Sequence, residues 1–349
     1  MNLAYTAADT GGIERRYDLG GRIGVRGSHP LPSSQVEPAV SGAWAGSGRM
    51  LATQPLAALV HLLWDYTAGP KTAASYPAQG TPATAAYLPE LVVGDGYLSR
   101  VTIHNTGTSA ANVALYLYDR TGTQKLVHPA TVPAHAALTL SVADLAPDFS
   151  ATGGHGTARL SADRPVVALA ALHGIDWSDG YVAATGGDTA LYDPGALRRE
   201  ASPGVWHGSE TVVQNLGASA ASVHVEFRRL DGTLTHSLDD TIPPLGAAAY
   251  STLEPGTLDP ARFQALVAAL GDDWQGTVRV TCTSGQPLAG VGLSRLRSVA
   301  PDRLAHSAPR GSDATGGSLV FPDVYRRLTG GSDEQWSAAL VHNTTAVAG

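Results

Sequence analysis

The chain has 349 residues, 43% of them hydrophobic and only 15% charged, which excludes a disordered chain and leaves material for two or three packed domains. The net charge is −7 and Lys71 and Lys125 are the only lysines, so no basic stripe exists to meet nucleic acid. Forty glycines and 22 prolines among many Ala, Val, Leu and Thr predict an all-β protein of short strands and frequent turns.

At the start, Met1-Asn2-Leu3 is followed by Asp9 and Glu14 rather than by a long apolar run, so no secretory leader is read there. Pro55 to Trp64 is the longest apolar stretch; it is interrupted by His61 and is too short to span a bilayer. Internal repetition is the main signal. Gly46-Ser47-Gly48-Arg49-Met50 recurs as Gly156-Thr157-Ala158-Arg159-Leu160 and as Gly276-Thr277-Val278-Arg279-Val280. Each is followed by a proline-led apolar strand, at Pro55, Pro165 and Pro287. Asn105, Asn215 and Asn343 close three similar strands, and Val132-Pro133 pairs with Ile242-Pro243.

One unit reads strand by strand. Tyr97–Asn105 alternates apolar and polar residues and ends at an Asn-Thr-Gly corner. Ala111–Tyr118 puts Val113, Leu115 and Leu117 on one face. Asp119-Arg120-Thr121-Gly122 is a hairpin turn, with Gly122 free to take a positive φ. A short strand at Gln124–His128 and another at Ala136–Val142 follow; Gly156–Ala162 and Pro165–His173 are expected to form a closing hairpin around Asp163-Arg164. About seven strands with one polar face describe an antiparallel, immunoglobulin-like β-sandwich. The later unit carries an insertion in which Phe263, Leu266, Val267 and Leu270 recur at helical spacing, predicting a short surface helix over 259–270 with Asp259 as N-cap and Gly271 as its stop. The single cysteine, Cys282, alternates with Val278 and Val280 and reads as a small core residue, which leaves no intrachain disulfide.

The series Tyr87-Leu88-Pro89, then Ser99 to Asn105, then Tyr118-Asp119-Arg120-Thr121-Gly122, then the proline-led last strand, resembles a repeat of large secreted or surface proteins of filamentous bacteria, which read Tyr-Leu-Pro, a Gln-Asn corner and Tyr-Asp-x-x-Gly. The second unit departs from it at Tyr192-Asp193-Pro194 and the last at Val320-Phe321-Pro322. The resemblance covers most of the chain and implies an extracellular, non-enzymatic role.

Aligned to the complete unit, Met1–Tyr5 falls beside Asn112–Tyr116, and Gly349 falls near Ala111. The expected organisation is therefore tandem β-sandwiches with incomplete first and last units, three repeats in circularly permuted form. Residues 1–86 are an incomplete sandwich lacking its first strands; 87–196 and 197–320 are complete sandwiches; 321–349 are donor strands. Strand exchange between copies, closure of one chain into a ring, and a piece of a longer repeat protein all fit. Exchange leaves the least apolar surface and sheet edge uncovered, and a head-to-tail contact of that kind propagates into a filament or surface layer. Phe321, Trp336, Leu340, Val341 and Asn343 are the assembly residues such a tail would offer.

The search for chemistry yields little. No Gly-x-Ser-x-Gly elbow, Walker loop, His-x-His or His-Glu-x-x-His occurs, so neither a catalytic site nor a cofactor is read. His104 and His342 share a position that Gln214 takes in the other unit, which favours a structural hydrogen bond over a metal ligand. The recurrent Asn105, Asn215 and Asn343 are expected to cap their corners by side-chain-to-backbone hydrogen bonds. Asp176-Trp177-Ser178-Asp179-Gly180 is an acidic loop with oxygen ligands for calcium, although its spacing is not that of an EF-hand. Trp44, Trp64, Trp177, Trp206, Trp274 and Trp336 are platforms for glycans or pieces of packing, and packing fits their differing offsets better. An adhesin or carbohydrate-binding module is the alternative to a structural subunit.

Overall fold

The computed structural model describes residues 81–298, except 95–96, 148, 150–153 and 174–177, and outside that span residues 2–7, 14–18, 46–51, 58–64, 72–78, 326–328 and 334–336. The described chain is almost wholly antiparallel β-sheet. Near the N-terminus, β1 (Asn2–Ala7) lies between β2 (Glu14–Asp18) and β3 (Gly46–Leu51), while β4 (Leu59–Trp64) pairs with β5 (Thr72–Pro77).

Next come β6 (Ala83–Val92), β7 (Leu98–Asn105), β8 (Ala111–Asp119), β9 (Gln124–Val132), β10 (Ala137–Ser141), a single turn of helix α1 (Val142–Leu145), β11 (His155–His173) and β12 (Ser178–Val182). The alternation expected in β8 holds: Val113, Leu115 and Leu117 are buried and Asn112 is exposed. The expected closing hairpin at Asp163-Arg164 is absent. β11 runs through that point as one strand, leaving β8 at Ala162 and taking up β7 at Val166. Exposed Asp163, Arg164 and Pro165, with a register shift against β6, bend the strand so that it serves one sheet and then the other. β9 also runs further than expected, to Val132, because Pro129 lies in an edge strand where its missing N–H costs no ladder bond.

A second set follows: β13 (Ala190–Ser202), β14 (Val205–Asn215), β15 (Ala221–Arg229), β16 (Leu234–Ile242), β17 (Ala247–Ser251), α2 (Pro260–Leu270), β18 (Asp273–Cys282) and β19 (Leu288–Ser298). β13 crosses the 196/197 boundary read from the sequence, and Ala190–Asp193 already pair with β18. Here the closing strands are separate, parted by Thr283–Pro287. The helix forms as its pattern predicts: Asp259 accepts from the Arg262 amide, Gly271 ends it at φ 71°, and Phe263, Leu266 and Leu270 are buried. Trp274 is fully buried, its indole donating to Thr235 Oγ1 at 3.1 Å and its ring set edge-on to Phe227. Cys282 is buried, as expected.

The order β2-β1-β3 repeats the orders β9-β8-β11 and β16-β15-β18. Near the C-terminus, β20 (Arg326–Leu328) pairs with β21 (Glu334–Trp336).

Candidate functional site

The two cores meet. Val212, Ala247, Ala249, Val291 and Leu293, from β14, β17 and β19, pack into the hydrophobic cluster of the first strand set, while their neighbours Val213, Ala248 and Leu288 face the second. Alternation along each strand therefore sends one side chain inward and the next across the joint. The turn after β8 is the plug. The Arg120 carbonyl accepts from the Ala247 amide at 3.0 Å, and Thr157 Oγ1 donates to the Leu245 carbonyl at 3.0 Å. Gly122 has φ 83°, and a Cβ there would lie 2.1 Å from the Pro244 carbonyl oxygen, so backbone meets backbone only because no side chain intervenes. Asp188 and Leu288 exchange backbone bonds of 3.0 and 2.8 Å, which ties the connecting segment to β19.

Through this joint runs a row of charges. Glu90 on β6, 0% exposed, accepts from Arg120 Nη2 at 3.0 Å and faces His155 Nδ1 at 2.6 Å. Arg120 stands 3.9 Å from Glu210 on β14, which pairs with Arg295 on β19; Arg295 in turn reaches Glu254 at 3.7 Å. The signs alternate from Glu90 to Glu254 across both strand sets. Burial pushes the Glu90 carboxyl up, but the charges of Arg120 and His155 outweigh it and hold it at about 2. Burial pulls the Arg295 guanidinium down, and Glu210, Glu254 and Glu90 together raise it instead. Chemically the arrangement gives each buried charge a partner inside its own strand set, Glu90 with Arg120 and Glu210 with Arg295, and the 3.9 Å approach of Arg120 to Glu210 joins the two pairs across the joint.

A pH dependence follows. With its folded pKa at about 2, below its ordinary 4.5, Glu90 contributes stability that is whole above pH 4.5 and is lost as pH falls toward 2. The difference corresponds to about 3 kcal/mol. Urea denaturation of the wild type and Glu90→Gln between pH 2 and 7 should show the two curves converging at the acid end.

The asparagine corners stand where the sequence placed them. Asn105 Nδ2 donates to the carbonyls of Ser109, Val132 and Pro133 at 2.8, 3.0 and 3.1 Å, and Oδ1 accepts from the Gly107 amide at 2.9 Å. Asn215 repeats all four bonds with Ser219, Ile242, Pro243 and Gly217. Gln214 departs from expectation. It is fully buried, and neither Nε2 nor Oε1 meets a protein hydrogen-bonding partner. Its cross-strand neighbours are Ala247 and Ala289, so the amide faces the apolar side of the joint rather than a carbonyl.

Of the expected assembly residues, Trp336 ends β21 opposite Arg326, while Phe321, Leu340, Val341 and Asn343 lie outside the described residues, as does His342. Asp176 and Trp177 of the acidic loop also lie outside. Its remainder opens β12, where Asp179 Oδ1 accepts from the Gly180 amide at 2.6 Å. Among the described residues no group of three or more His, Cys, Asp or Glu is placed to hold a metal ion. Trp206 is half-buried with the Arg198 guanidinium 4.4 Å from its ring centre. The charges of the joint escaped the sequence reading. The signal was present in Glu210 and Arg295, charged residues set inside strands rather than in turns.

No known family profile matches the chain, and neither does any curated protein. Solved structures give partial likenesses. A Thermotoga maritima protein, 1070, is 14% identical over 30% of this chain and 94% of its own, with a TM-score of 0.26. A putative beta-galactosidase from Bacteroides fragilis is 12% identical over 65% of this chain and 32% of its own, with a TM-score of 0.16. A GH2 beta-galacturonidase from Eisenbergiella tayi bound to glycerol is 14% identical over 75% and 44%, with a TM-score of 0.16. The matched region thus spans less than half of either glycosidase.

Proposed function

We propose that the chain is a structural, non-catalytic part of an extracellular filament or surface layer, built of β-sandwiches locked one against the next. In this reading copies join head to tail, and the β20–β21 hairpin of one copy supplies the leading strands of the sandwich that β1 to β5 of the next copy complete. One observation carries it. Arg326, Arg327 and Leu328 oppose Trp336, Gln335 and Glu334, just as Arg198, Arg199 and Glu200 oppose Gly208, His207 and Trp206. Every one of these residues is displaced by 128 positions, the same interval that separates Asn215 from Asn343. The hairpin therefore keeps the register of strands that open a sandwich. The order β2-β1-β3 is that of strands lying later in one, so the two sets are complementary.

A sandwich missing its leading strands leaves apolar surface in water at about 25 cal/mol per Å² and an open edge besides, and a strand from a neighbour relieves both. Deleting residues 321–349 should abolish self-association in sedimentation velocity; association at wild-type strength would overturn strand sharing. A glycan-binding surface is the second reading. It is favoured by Trp206, half-buried with the Arg198 guanidinium 4.4 Å from its ring centre.

A further inference from the structure

The plug that fills the joint has a twin, the turn after β15, which none of the described residues covers. In the first turn Asp119 N–H donates to the Thr123 carbonyl at 3.0 Å; in the turn after β15, Arg229 N–H donates to the Thr233 carbonyl at 2.9 Å. Gly122 and Gly232 have φ of 83° and 85°. A Cβ on Gly122 would strike Pro244, whereas one on Gly232 would meet nothing within 4 Å. Leu230, two residues ahead of Gly232 as Arg120 is ahead of Gly122, is 61% exposed.

A lone exposed leucine means little. What marks this tip is a matched exchange of chemistry on both sides of the joint. The first plug is ringed by Glu90, Arg120 and His155; the same places in the second strand set hold Gly195, Leu230 and Gln275. The surface receiving the first plug carries Glu210, five residues ahead of Asn215, and Arg295, eight beyond Pro287. The equivalent positions hold Arg100 and His173 in the first set, and Ala338 and Leu63 in the sequence segments that flank the two complete sets. Only the last pair is apolar, as Leu230 is, and it is divided between the two ends of the chain.

We propose that the Leu230 tip is a docking surface for a second copy of this chain, seated where that copy's β4 strand is completed by the hairpin that follows the tip. The inference rests on the strand sharing proposed above and adds a key to it. An ionic plug fits only the ionic socket inside the chain, and an apolar plug fits only the apolar socket between copies, so the order of sandwiches cannot be scrambled.

The full-length chain carrying Leu230→Cys in a Cys282→Ala background is labelled with a soluble maleimide above and below its association midpoint, with Val127→Cys as control. Val127 sits on the edge strand β9 and is 39% exposed. Labelling at position 230 should slow about tenfold or more on assembly, as for a site reached only by opening, while position 127 keeps its rate. Assembly without slowing at 230 overturns the docking and leaves strand sharing standing. Assembly that survives loss of residues 321–349 overturns strand sharing, and the docking falls with it. A wild-type chain that never associates overturns both.

Discussion

Glu210→Ala should lower the unfolding free energy by about 3–5 kcal/mol, the cost of stranding a buried charge after its partner is removed. Arg295 is 7% exposed and loses its nearest carboxylate, while Glu254, its other partner, is 45% exposed at the rim and compensates weakly. Glu210 is also the residue that Arg120 approaches across the joint, at 3.9 Å, so its removal should weaken the coupling of the two strand sets and split urea unfolding, followed by tryptophan fluorescence, from one transition into two. The double replacement Glu210→Leu with Arg295→Met should recover most of the loss, because an apolar pair of similar volume avoids the desolvation of both ions. A double variant as unstable as Glu210→Ala alone would show that backbone contacts around Gly122, and not the charges, hold the joint.

The second large effect is expected at the corner. Asn215→Asp should cost about 4 kcal/mol, more than Asn215→Ala at about 2–3 kcal/mol. The amide nitrogen serves three carbonyls at once, those of Ser219, Ile242 and Pro243, and the residue is 0% exposed. Aspartate would set an oxygen against all three in a site closed to water. For a chain region of this size the melting temperature should fall by roughly 10 °C, read by circular dichroism. A smaller loss for Asp than for Ala would mean that the bond to the Gly217 amide, which Asp keeps and Ala loses, dominates instead.

The same corners show what the sequence could tell. Asn105 and Asn215 were legible because the residue recurs beside a turn and asparagine is the side chain that can give and accept there. The helix over 259–270 was legible because its cap, spacing and stop agree. The path of β11 was hidden, since Asp163-Arg164-Pro165 reads equally as a turn or as a bend; the choice rests on partners distant in sequence. The joint was hidden for a related reason. Periodicity tells which residues are buried but not what buries them, and Val212 and Val213 are both buried by different neighbours. The bonding position assigned to Gln214 failed on that point: the first strand set closes over a face that would otherwise meet water.

The second sandwich joins its layers through β13, which pairs with β18 and then with β14, and the first does so through the single strand β11. The two layers of the first share one unbroken 19-residue span, so a pull that peels one sheet must drag on the other through a covalent path with no slack. In the second set, Thr283–Pro287 intervenes between β18 and β19, tied to β15 where the Thr283 amide donates to the Ser222 carbonyl at 2.8 Å and Ser284 Oγ accepts from the Ser222 amide at 3.0 Å. Pulled from its two ends in a force experiment, the second strand set should yield first at this connection, once its bonds to Ser222 break, while the set closed by β11 holds longer.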